Sequence, residues 1–249
     1  MKPFHLGKSI SIFTAELFAN LDGVTAFPRI NVRAHLIIEI SSCEDEKDLG
    51  VTFDKDLSFD CHIQRVVAKA NQMIGLVKRS FTYLDREIFL KLYKALIRPH
   101  VEYANVIWHP FLKRQSVKIE RVQRRATKLL GDCRNMTYGQ RLRYLQLHSL
   151  RGRRIRGDMI EMFKVFNSLE DVDVHKLFSL SMTNTRNPEG KILVQSCSTN
   201  TRKSSFSLRV ANHWNSLPPN IKFANNTNTF KNLLDKNPKF TDMFFEYDE

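Results

Sequence analysis

Between Lys113 and Arg156 stand fourteen Lys or Arg residues and two acids, Glu120 and Asp132, so fourteen minus two leaves +12 of the whole chain's +13 in this one stretch. A run charged this way cannot be folded wholesale into a core, because ionised side chains lose their hydration on burial. Its backbone must divide an apolar face from a charged one. The stretch from about Gln115 to Leu130 does so at helical period. At 100° per residue, Ile119, Val122, Ala126 and Leu129 share an arc of about 80°, and Lys118, Arg121, Arg124, Arg125 and Lys128 occupy the neighbouring arc. Gly131 is a natural stop. A second set, Arg151, Arg153, Arg154 and Arg156, falls in the first turns of a helix expected over 150–167. Cations there oppose the helix macrodipole by a few tenths of a kcal/mol each, roughly, a cost that an anionic partner offsets. Phosphate backbones are the commonest such partner, and arginine grips two oxygens at once. Read without a partner, the same residues are a solvated helix face.

The rest of the composition sets bounds. At 249 residues, 42% hydrophobic and with eighteen Phe, the chain can bury a real core. A pI near 9.7 points to nucleic acid or an anionic surface. No apolar run approaches the roughly 20 residues that span a bilayer, and Met1–Asn20 lacks the apolar core of a signal peptide, so an intracellular setting is expected. Cys43, Cys61, Cys133 and Cys197 lack zinc-ligand spacing and the density of a disulfide framework, and read as reduced structural thiols.

Periodicity predicts a mainly α chain with a short β element at its N-terminal edge and a small α+β module at its C-terminal end. Ser11–Asn20 suggests a helix and Arg29–Ile40 a strand. Asp48–Phe53 reads as a strand, and Asp54 and Asp56 flank a hairpin turn. From Cys61, with Asp60 as candidate cap, Ile63, Val66, Val67, Ala70, Met73, Ile74 and Val77 follow one helical face. A helix from Asp85 should kink or break at Pro99. Helices follow over 138–145 and 150–167. A polar linker spans 179–190, then a strand over 191–195, a helix over 205–217 ended by Pro218 and Pro219, and a short helix over 229–234. The division is thus 1–45 undefined, 46–178 the basic helical domain, 179–190 linker, 191–240 small module and 241–249 a loose acidic tail.

Several strings together resemble one family. DLGVTFDKDLSFDCHI (48–63) is similar to the palm end of reverse transcriptases from non-LTR retrotransposons of the jockey and CR1 type, which are LINE elements. KLYKALIRPHVEYANVIWHP (91–110), KIERVQRRATKLL (118–130), RLRYLQLHSLRGRRIRGDMIEMFKVFNS (141–168) and FSLRVANHWNSLP (206–218) resemble, in order, the helical regions that follow. The resemblance covers about Glu44 to Lys236. It implies a thumb-like helical bundle that holds a template–primer, an RNA–DNA hybrid or duplex, mostly independent of sequence. It also implies what is missing. The family's polymerase chemistry uses Mg²⁺ held by paired aspartates, and this chain has no Asp-Asp pair. No cofactor and no catalytic residue is therefore expected in it. SIFTAEL (11–17) is similar to the segment around an RNase H acid, with Glu16 at that place, but the other carboxylates such a site needs are not evident. The expected nucleic-acid-binding residues are Lys118, Arg121, Arg124, Arg125, Lys128, Arg151, Arg153, Arg154 and Arg156. The alternative left open is a basic helical protein that binds an acidic protein or anionic surface.

Overall fold

The computed structural model describes residues 45–179 and 190–247. The readings at Ser11–Asn20, at Arg29–Ile40, at Glu16 and Cys43, and for most of the linker at 179–190, lie outside the described residues.

The chain enters through a hairpin. β1 (Asp45–Asp48) pairs antiparallel with β2 (Val51–Asp54), Asp45 opposite Asp54 and Asp48 opposite Val51. The single strand expected over 48–53 is thus two, because Leu49 and Gly50 both take positive φ, 42° and 87°. A two-residue turn of this hand follows the twist of the strands, and glycine meets its second φ without a Cβ penalty. Val51 and Thr52 face inward, while β1 is exposed throughout. The Asp54 carboxylate accepts from the N–H groups of Ser58 and Phe59, both at 2.7 Å, and so fixes the entry to α1 (Asp60–Ser80). Asp60, the expected cap, lies inside the helix and accepts from Arg114 and Gln115 instead.

Next come α2 (Arg86–Leu92), a π-helical turn (Tyr93–Ile97) and α3 (Arg98–Glu102). The break expected at Pro99 takes the form of that widened turn. It leaves proline in the first turn of α3, where a missing N–H costs nothing. α4 (Lys113–Thr127) and α5 (Tyr138–Leu145) complete the first half. α4 ends before Gly131, which opens a short 3₁₀ turn rather than a left-handed cap. Val77 is fully buried and Val66 partly so. Trp108 is fully buried in this apolar cluster, with its indole N–H donating to the Tyr103 carbonyl at 2.7 Å.

A second cluster gathers the rest: α6 (Leu150–Phe166), α7 (Val174–Leu177), α8 (Asn200–Ser204), α9 (Phe206–Asn215), α10 (Pro219–Lys222), α11 (Thr227–Lys236) and α12 (Pro238–Met243). Trp214 is its buried indole, donating to the Gly190 carbonyl at 2.9 Å. Three expectations are corrected here. The C-terminal part has no distinct β element among the described residues, because the Asn215 side-chain amide takes both backbone groups of Ile192, at 2.9 and 2.8 Å, where a partner strand would. It is no separate module either. Ile155, Met159, Met162 and Phe163 of α6 belong to its core, and Leu150 of the same helix belongs to the first. Finally, residues 241–247 pack rather than hang loose: Phe244 is buried, and its carbonyl accepts from the Ser149 N–H at 2.9 Å. No helix among the described residues is long and apolar enough to cross a membrane.

Between the two clusters Asp158 is buried, held by Arg209 through two bonds of 2.9 and 2.8 Å, with His109 Nδ1 at 3.2 Å. Burial works against its charge, but Arg209 and His109 outweigh it and hold the carboxyl well below the usual range. Histidines behave oppositely. Desolvation lowers His62, which packs on Trp108, and His109 to about 4, and it also lowers His148 and His213.

Two predictions follow from the packing. A Cβ on Gly152 would lie 2.5 Å from the Phe244 Cα, whereas one on Gly131 meets nothing within 4 Å. Gly152→Ala should therefore cost about 1–3 kcal/mol in urea denaturation, and Gly131→Ala should be close to neutral. The histidines also set a pH dependence. Their folded pKa lies below the unfolded 6.5, so the unfolded chain takes up protons first. Stability is full above about 6.5 and falls as the pH drops toward 4. Thermal melts at pH 7.5 and 5.0 should show the decline, and His109→Asn should flatten it.

Candidate nucleic-acid interface

α4 turns Ile119, Val122 and Ala126 into the core, with Gln115, Glu120 and Gln123 buried beside them. Its opposite face carries Arg114, Lys118, Arg121, Arg125 and Lys128, at successive intervals of 4, 3, 4 and 3 residues. That spacing keeps them in one line along the helix, roughly 21 Å from end to end. Lys118 is half-buried and the other four are exposed. The side chains of Lys118, Arg121 and Lys128 make no hydrogen bond or ion pair among the described residues.

α1 lies along one side of this line. Arg114 donates to Asp60 at 2.9 Å and Arg125 to Asn71 at 2.8 Å, each across 54 residues, so the two helices run in the same direction. α1 contributes one acid, Asp60, against Arg65, Lys69, Lys78 and Arg79. On the other side Arg124 leaves the line. Its guanidinium lies against the rings of both Tyr138 and Tyr247, 4.9 and 5.0 Å from their centres.

The second expected set is placed differently. Arg154 is buried at 2% exposure and donates to Ser116 at 2.7 Å. Arg153 pairs with Glu102, which holds its guanidinium charged despite desolvation. Arg156 makes two bonds to Asp235, at 2.7 and 2.8 Å, and Arg151 reaches Glu246 at 3.2 Å. All four expected contacts of this set are thus engaged within the protein. The sequence-level excess counted only acids inside the run, whereas Asp60, Glu102, Asp235 and Glu246 arrive from outside it. Arg141, from the same run, is also buried, donating to Thr127 Oγ1 at 3.0 Å and the Met136 carbonyl at 2.6 Å.

Glu120, one of the run's two acids, is buried at 1% exposure. It accepts from the Tyr138 hydroxyl and from the N–H groups of Leu150 and Arg151, both at 3.2 Å. Burial pushes its carboxyl up, while Tyr138, the Arg154 charge and the two N–H groups pull it down. It joins α4 and α5 to the first turn of α6. There the Ser149 hydroxyl also accepts from the Gly152 N–H at 2.9 Å, an N-cap.

Among the described residues no donor set fits the Mg²⁺ of the resembled family. The Asp54 oxygens are taken by Ser58 and Phe59, and no three His, Cys, Asp or Glu among the described residues converge as a metal site requires. Arg114 was not among the expected contacts. Its 4-3-4-3 spacing from Lys118, Arg121, Arg125 and Lys128 was the signal that finds it.

Glu120→Ala strands two backbone donors and a phenol and removes the carboxylate facing the buried Arg154 charge, and should cost about 3–5 kcal/mol. Arg151→Gln loses an ion pair between side chains 39% and 54% exposed, and should cost under about 1 kcal/mol. Urea denaturation of both variants checks the contrast.

Comparison with protein-family models, with curated proteins and with solved structures finds no match for this chain.

Proposed function

We propose that this chain is a non-catalytic nucleic-acid-binding unit of the kind its sequence resembles, the thumb region of a non-LTR reverse transcriptase. In this reading α4 grips an RNA–DNA hybrid or duplex through its phosphates. The observation that carries it is the line Arg114, Lys118, Arg121, Arg125 and Lys128, of which three have no side-chain partner among the described residues. The line offers one cation per about 5 Å of helix. A duplex offers one charge per about 1.7 Å of its axis. The partner's charge density exceeds the helix's in any register, so recognition needs no base sequence. The strings that carry the resemblance also support the reading, since 118–130 falls on α4, 141–168 on α5 and α6, and 206–218 on α9.

Salt dependence tests this. Five phosphate contacts give a slope of log K against log salt of about −4.5. Arg121→Gln with Lys128→Gln should reduce its magnitude by about 2 and weaken hybrids of unrelated sequence equally. Arg156→Gln, whose guanidinium is tied to Asp235, should leave the slope unchanged. A slope near zero sinks the proposal. Tighter binding to anionic vesicles or an acidic peptide than to the hybrid, at equal salt, supports the acidic-partner alternative instead.

A further inference from the structure

The basic line of α4 has two unlike borders. Toward α1, Asn71 props Arg125 by a neutral amide and leaves its charge available. The other border is formed by the segment Phe244–Tyr247. Arg124 follows Arg121 by three residues, so it sits about 60° round the helix from it, on the side away from Arg125. There Tyr247 closes over its guanidinium at 5.0 Å and meets the Tyr138 ring at 4.8 Å. The preceding residue, Glu246, points its carboxylate at Arg151 Nη1, 3.2 Å away, and its carbonyl accepts from the Ser149 hydroxyl. One short segment thus occupies two guanidinia beside the line and adds a negative charge there. Its root is fixed, because Phe244 is buried in the second core and bonded through its carbonyl to the Ser149 N–H at 2.9 Å. Its outer part is held by the exposed Glu246–Arg151 ion pair, by the Ser149 hydroxyl on the Glu246 carbonyl and by the contacts of the Tyr247 ring with Arg124 and Tyr138. A phosphate would offer the same guanidinia charge-assisted hydrogen bonds, which are stronger.

We propose that Phe244–Tyr247 is a built-in competitor of the polyanion: a strap that withholds Arg124 and Arg151 and keeps affinity below what the basic surface can deliver. The proposal rests on the polyanion reading of α4. In it, Phe244 stays seated while Glu246 and Tyr247 lift, and the two released guanidinia extend the line toward the start of α6.

The test uses the full chain and a fluorescent RNA–DNA hybrid, with anisotropy read at several salt concentrations. The double variant Glu246→Gln/Tyr247→Ala should bind several-fold tighter, with a slope more negative by up to about 2, at roughly 0.9 per released cation. In the double variant, adding Arg124→Gln should remove about half of the gain. Unchanged affinity and slope in the double variant overturn the strap. Weaker binding does so as well, since the segment would then belong to the binding surface. Circular dichroism checks folding. If the double variant does not fold, Glu246→Gln alone decides the matter, with an expected steepening of about 1. Failure of the underlying reading looks different, because Arg121→Gln/Lys128→Gln would then leave wild-type binding and slope unaltered.

Discussion

The buried carboxylate of Glu120 is the joint on which the arrangement depends. It stands on α4, takes the Tyr138 hydroxyl of α5, and accepts the N–H groups of Leu150 and Arg151 at the head of α6. The start of a helix presents unpaired N–H groups and a partial positive charge. In this protein that end also carries four arginines, which makes it hard to bury. A carboxylate placed against it answers both problems with one side chain. Because α6 contributes Leu150 to the first core and Ile155 to Val165 to the second, fixing its first turn also fixes how the two cores meet.

Charge of one sign does two different jobs on neighbouring helices. On α4 it stands in a line of which, among the described residues, only Arg114 is paired with a carboxylate, that of Asp60. On α6 it is drawn inward, to Glu102, Asp235, Ser116 and Glu246. Composition and pI cannot tell these apart, since both helices add the same charge. What separates them is whether acids distant in sequence fold back within reach. The ion pairs on α6 add little stability where they are exposed. Removing one partner of a buried group such as Glu120 is costly, because the other is left desolvated and unpaired. Of the two helices, α4 is the one whose line of cations keeps side chains without a partner among the described residues.

Much of the fold was legible from periodicity. Ile119, Val122 and Ala126 mark the buried face of α4, and the expected helix at 138–145 matches α5. The apolar spacing of Ile155, Met159, Met162 and Phe163 identifies α6. These features are local, and a 3.6-residue period reports them directly. The failures have specific causes. Strand-like 191–195 finds the Asn215 side chain in place of a strand. The acidic, aromatic 241–247 looks like a solvated tail until Phe244 meets Gly152, a close approach that no local pattern announces. Within the candidate site, the α4 cations and their spacing were readable, whereas the engagement of Arg151, Arg153, Arg154 and Arg156 was not.

By itself the sequence determined a mainly helical chain, the outward basic face of α4, and the lack of an Asp-Asp pair. Each follows from residue type and spacing along one segment. Tertiary structure alone decided which of the fourteen cations remain available, because a guanidinium's state depends on carboxylates and rings 51 to 123 positions away, such as Glu102, Asp235 and Tyr247. It also decided that the last described residues border the basic line. Charge can be counted along a chain, but its neutralisation is a matter of distance in space.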